Sequence, residues 1–118
     1  MITNLSESQH QQALFSWAKK YPELDVMFAI PNEGKRSGYT GAKHKAMGLK
    51  SGVPDIMLPL SKQGYHGLFI ELKKDDKQKI SPNQKKWMEK LSINGYKAVA
   101  CFSWEEARKA LIDYMEVS

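Results

Sequence analysis

The sequence is poor in the residues that mark several common protein classes. It has one cysteine, Cys101, so an internal disulfide and a cysteine-built zinc cluster are both excluded. That residue sits in the apolar run Ala98-Val99-Ala100-Cys101-Phe102 and is expected to be a buried, inert thiol in a reducing compartment. No hydrophobic stretch is long enough to span a bilayer, and Met1-Ile2-Thr3-Asn4 shows no signal-peptide core. A cytoplasmic protein without membrane association is the expectation. No internal repeat, low-complexity tract or Pro/Gly-rich linker divides the chain, which is expected to form one domain over residues 1–118. The three histidines, His10, His44 and His66, do not stand at metal-binding spacing. His44 is expected on the surface, and the other two carry no functional assignment.

Charge of one sign is in excess. Eighteen Lys and Arg against thirteen Asp and Glu give a net charge of +5. This suits a polyanionic partner without requiring one, and becomes informative only where cations fall around a chemical site. A hydrophobic content of 42% is enough for a folded core.

The apolar spacing predicts a helix from about Ser6 to Lys20, with Leu14, Trp17, Ala18 and Tyr21 on its inner face. Extended backwards, that stripe passes through Gln11 to Glu7. Val26-Met27-Phe28-Ala29-Ile30, closed by Pro31, predicts a buried strand. A polar loop follows from Asn32 to Gly38, then a short helix over Thr40–Leu49. Two further strands are predicted at Asp55–Leu58 and Leu68–Lys73. Ser81 as N-cap, Pro82 at the first helical position and Gln84 three residues on announce a helix with Trp87, Met88 and Leu91 on one face, stopped by Gly95. Tyr96–Phe102 reads as a last strand, and Ser103-Trp104-Glu105-Glu106 opens a last helix carrying Ala107, Leu111 and Met115 on one face. The expected fold class is α/β, a mixed sheet flanked by helices. Trp87 and Trp104 are expected in core or interface positions and not as base-stacking platforms.

Alternation along Leu68–Lys73 puts Phe69, Glu71 and Lys73 on one face of a strand that otherwise looks buried. Charged side chains are costly to bury unless they pair or bind a metal. Asp55 heads a neighbouring strand directly after Gly52-Val53-Pro54. Where the two strand ends meet, two carboxylates and an ammonium converge. Carboxylates suit Mg²⁺ or Mn²⁺ and leave positions for water and phosphate oxygen, and a lysine beside them can orient or deprotonate the attacking water. The plainer alternative is a surface ion pair between Glu71 and Lys73, with Asp55 a turn residue.

Gly52-Val53-Pro54-Asp55, then Gly67-Leu68-Phe69-Ile70-Glu71-Leu72-Lys73, then Ser81-Pro82-Asn83-Gln84 resembles the VRR-NUC domain, the virus-type replication-repair nuclease branch of the PD-(D/E)XK superfamily. The resemblance extends to Ile30-Pro31-Asn32 with Arg36-Ser37, to Lys45-Ala46-Met47-Gly48 and to Gly95-Tyr96, and so covers nearly the whole chain. It implies a restriction-endonuclease-like core and a Mg²⁺- or Mn²⁺-dependent DNA endonuclease of phages or bacteria. It further implies action on branched DNA such as Holliday junctions, and a homodimer. By the resemblance, Asp55 and Glu71 are the metal-binding acids, the Leu72 carbonyl adds a backbone ligand and Lys73 is the catalytic lysine. Glu7 matches an acid in the first helix that belongs to the metal site, and Gln84 a glutamine at the start of the later helix; the resemblance places both in the catalytic set. Both also have capping readings, Glu7 with Asn4 and Gln84 with Ser81. Arg36 and Lys45 are the candidate contacts to the DNA backbone. Two other classes compete: a catalytically inactive DNA-binding module of the same fold, and a basic scaffold that recruits a protein through its last helix.

Overall fold

The computed structural model describes residues 4–31 and 41–116. Its first helix, α1 (Glu7–Ala18), begins where Ser6 Oγ accepts the Gln9 N–H while Gln9 Oε1 accepts the Ser6 N–H. This reciprocal pair satisfies two amides that the first turn leaves without partners. The capping residues are therefore Ser6 and Gln9, not Asn4 and Glu7. Leu14 and Ala18 are buried on the inner face, whereas Tyr21 is exposed beyond the helix end.

Pro22 does more than end this helix: it opens a 3₁₀ turn over Pro22–Val26. Leu24 and Met27 point into the core from this turn, while Val26 and Phe28 are each 46% exposed. The expected five-residue buried strand is thus reduced to β1 (Phe28–Ala29), exposed at the sheet edge. The buried residues Leu24 and Met27 stand three apart, the period of a 3₁₀ turn and not the alternation of a strand.

The helix α2 (Gly41–Ala46) is shorter than its prediction, and the polar loop before it lies outside the described residues. β2 (Ile56–Leu58) and β3 (Leu68–Leu72) follow as expected. Next come α3 (Pro82–Ile93), β4 (Lys97–Cys101) and α4 (Trp104–Glu116). The sheet order is β1-β2-β3-β4, with the first two pairings antiparallel and β3–β4 parallel. Parallel neighbours need a crossover, and α3 supplies it. The mixed sheet with flanking helices is as expected.

The two sheet faces differ in kind. Leu68, Ile70 and Leu72 of β3, with Ile56 and Leu58 of β2, are fully buried in one cluster with Leu14, Ala107, Leu111 and Tyr114. Tyr114, not Met115, is the deepest residue at the end of α4, and its hydroxyl donates to the Leu60 carbonyl at 2.6 Å. Cys101 belongs to this core, and burial followed by the charge of Glu106 pushes its thiol up to about 12. Alternation turns Phe69 and Glu71 to the other face. The helix α3 packs beside β4, and its apolar residues Trp87, Met88 and Leu91 are only half-buried. Trp104 is half-buried against the core cluster. No helix among the described residues is long and apolar enough to cross a membrane.

Candidate active site

Asp55 and Glu71 are brought together by strand register. The β2–β3 ladder pairs Met57 with Phe69 and Ile56 with Ile70, so its next step sets Asp55 opposite Glu71. Asp55 is held there from two sides. Its carbonyl accepts the Ile30 N–H at 2.7 Å, and its carboxylate Oδ2 accepts the Leu72 N–H at 2.9 Å. The second bond is buried and aims the carboxylate across the sheet instead of out to water. A charge-assisted bond of this kind is worth about 1.5–3 kcal/mol.

Lys73 follows β3 and stays fixed to the sheet because its N–H donates to the Cys101 carbonyl at 2.8 Å. Its Nζ lies 3.5 Å from Glu71 Oε2. Glu71 is 2% exposed, Lys73 8% and Asp55 7%. The surface ion pair is thereby excluded: three charged groups are withdrawn from water on one face of the sheet.

Gln84 caps α3 and reaches Glu71 at once. Its Oε1 accepts the Ser81 N–H at 2.9 Å, completing the cap of α3, while its Nε2 donates to Glu71 Oε2 at 3.1 Å. An amide has an acceptor and a donor end, so capping and site binding do not compete. Glu71 Oε2 therefore has two donors. Its other oxygen, Oε1, is buried and has no hydrogen-bond partner among the described residues. Burial, then the Asp55 charge, push Glu71 up to about 8, while Lys73 pulls it down.

The placement of α3 rests on Gly52. At φ +93° it adopts a left-handed conformation, and a Cβ there would stand 2.8 Å from the Asn83 carbonyl carbon. Only a glycine lets the turn before Asp55 lie against the first turn of α3. One contact thus sets Gln84 and Asp55 relative to each other.

Glu7 is half-buried as the first residue of α1, a helix that packs on α4 and β3. Among the described residues, no three His, Cys, Asp or Glu side chains are gathered as a metal cluster, so the acidic part of the site is the Asp55–Glu71 pair. Lys45 is exposed on α2, and Arg36 lies outside the described residues. His44 corrects its surface prediction: it is 3% exposed, and its carbonyl accepts the Leu49 N–H at 2.9 Å. Lysines on both sides in sequence hide this burial, because on so short a helix one residue can face inwards alone. His10 is also buried, and its Nδ1 accepts the Trp104 N–H at 3.0 Å at the start of α4. No spacing in the sequence signals that link across the chain.

The sequence pattern of the VRR-NUC domain matches residues 3–104. The chain belongs to the VRR-NUC family. A solved structure described as a VRR_NUC domain protein superposes with a TM-score of 0.86 at 30% identity, covering 99% of this chain and 93% of that one. A second, described as a VRR_NUC domain, has a TM-score of 0.60 at 21% identity, covering 92% and 97%, and supports the fold alone. A comparison with the curated proteins finds no match. This VRR-NUC chain is accordingly a nuclease-type domain, of the hydrolase kind.

Proposed function

We propose that this VRR-NUC chain is a metal-dependent endonuclease that hydrolyses phosphodiester bonds in DNA. The observation that carries the reading is the state of Glu71. One carboxylate oxygen is held by Lys73 and Gln84, and the other is buried without a hydrogen-bond partner among the described residues, on the side of the sheet it shares with Asp55. A buried carboxylate oxygen left in this way beside the Asp55 carboxyl is costly unless a proton or a cation meets it, and a divalent cation that displaces the proton serves both acids. The donor set is oxygen from two carboxylates, which suits Mg²⁺ or Mn²⁺ and not a soft metal.

Asp55, Glu71 and the Leu72 carbonyl would hold the ion. Glu7, at the start of α1, is the further acid that the resemblance assigns to the ion. When bound, the cation supplies an acidified water and neutralises charge on the phosphoryl group. Lys73 Nζ, fixed through its own backbone and through Glu71, orients the attacking water and stabilises negative charge developing on the phosphate oxygens. Gln84 holds the Glu71 carboxylate in one rotamer. The Leu72 N–H does the same for Asp55.

The resemblance supports branched DNA as the preferred substrate, Holliday junctions included, and a homodimer in a phage or bacterial cytoplasm. One small site reaches one strand, whereas resolving a four-way junction takes two cuts, which is the physical reason to expect two copies. The test is a panel of labelled DNA structures incubated with Mg²⁺ or Mn²⁺ and read for product size and symmetry. Paired symmetric cuts in junctions that disappear with EDTA are expected. Equal cutting of linear duplex and junction would remove the branched-DNA preference, and cutting in EDTA would remove the metal.

A further inference from the structure

A substrate phosphate has to approach two carboxylates, which repel it. Cations placed beside the site are needed to hold the strand while the reacting phosphate enters. Two basic hollows are lined by residues next in sequence to those of the site, Lys74 after Lys73 and Asn83 before Gln84. One, of about 490 Å³, is lined by Lys74 and Lys77 together with Asp75, an acid that partly cancels them and already binds the Lys77 N–H. The other, of about 370 Å³, is lined among the described residues by Lys45, Leu49, Lys50, Ser51 and Asn83, two cations and two neutral polar side chains.

The second hollow is built from parts that also build the site. Asn83 precedes Gln84, whose amide donates to Glu71. Ser51 precedes Gly52, which packs on the Asn83 backbone and leads through Pro54 to Asp55. Its position relative to the carboxylates is thus set by the same contact that sets Gln84. The inward-facing His44 leaves Lys45 exposed on the outer side of α2, and Lys50 is exposed after it. Both ammonium groups are therefore open to a ligand.

The geometry points to this hollow as a holding site for a phosphate of the substrate strand other than the one that is cut. Lys45 and Lys50 supply charge, and Ser51 and Asn83 supply hydrogen-bond donors. Such a contact fixes register and adds affinity without reading sequence. It rests on the nuclease reading above, and it assigns functions to Lys50, Ser51 and Asn83.

The test uses the whole chain in two arms. In the first, binding to a labelled DNA junction in EDTA is measured over a range of salt for the wild type and for a Lys45→Ala/Lys50→Ala variant, whose changes are at exposed positions. Weaker binding is expected, at least tenfold at moderate salt, with a log–log salt slope shallower by roughly one to two. In the second, substrates carrying one uncharged methylphosphonate at successive positions are cut with Mn²⁺. The wild type should be slowed at one flanking position to which the variant is indifferent. An unchanged affinity and salt slope in the variant would overturn the holding site, as would identical methylphosphonate profiles. A wild type that binds with the expected slope difference but cuts nothing would overturn the nuclease reading and leave the phosphate site standing.

Discussion

Gln84 Nε2 donates to Glu71 Oε2 across 3.1 Å, while the same amide closes the cap of α3. The start of a helix and the acid of the site are thus tied to one side chain, and any change at Gln84 is felt by both.

Gln84→Ala is expected to destabilise the fold by about 1 kcal/mol, the usual effect of a lost cap contact. It should lower the cleavage rate further, by roughly tenfold, through the freed Glu71 carboxylate. Gln84→Glu keeps the capping acceptor but faces Glu71 with a third carboxylate, so near-normal stability with depressed activity is expected. Denaturant unfolding paired with single-turnover cleavage checks both. A parallel loss of stability and rate in the two variants would mean that Gln84 only caps the helix.

The raised Glu71 predicts the pH dependence of the metal-free protein. Its folded value is about 8 against an ordinary value of 4.5, so between these the folded state binds the extra proton. Its contribution to stability is complete below pH 4.5 and is lost as pH rises towards about 8. Unfolding midpoints in EDTA should therefore fall more steeply over this window in the wild type than in Glu71→Gln. Equal slopes would show that Glu71 is ionised in the apo protein. A divalent cation has to displace this proton, so its affinity should rise with pH and level off above about 8.

Asp55→Asn keeps an oxygen for the Leu72 N–H but removes the charge that raises Glu71. The metal-free variant should be at least as stable as the wild type at pH 7, by a margin on the order of 1 kcal/mol, yet inactive. Thermal unfolding in EDTA measures this. A clear destabilisation would show that the Asp55 charge supports the fold instead of straining it.

Gly52→Ala introduces a Cβ at φ +93° and 2.8 Å from the Asn83 backbone. The left-handed conformation alone costs about 1–2 kcal/mol for an alanine. Since the turn has to move away from α3, activity is expected to fall by more than the stability loss accounts for. A variant as active per folded molecule as the wild type would separate this contact from the site.

Much of the site was legible because strand alternation is strict. Once Leu68, Ile70 and Leu72 face the core, Glu71 and Lys73 have no other face to occupy, and the Pro54-Asp55 step supplies the second acid. The capping pattern of Ser81 with Gln84 was equally plain. What escaped was set by packing between distant segments. The apolar run Val26–Ile30 carries no sign that its first residue closes a 3₁₀ turn and that only Phe28–Ala29 joins the sheet, at its edge. The burial of His44 and the bond from Trp104 to His10 join residues with no local pattern. Glu7 shows the opposite limit: helical register points it inwards, but register does not fix the distance to the acids.

In the proposed reaction Asp55, Glu71 and Lys73 cut DNA with a divalent cation. The most direct test is cleavage of a labelled DNA junction by the wild type, Glu71→Gln and Lys73→Ala, with Mg²⁺ or Mn²⁺ and with EDTA, alongside binding of the same junction. Cleavage by the wild type only is expected, none in EDTA, and DNA binding retained by both variants. Cleavage at wild-type rate by either variant, or in EDTA, would contradict it.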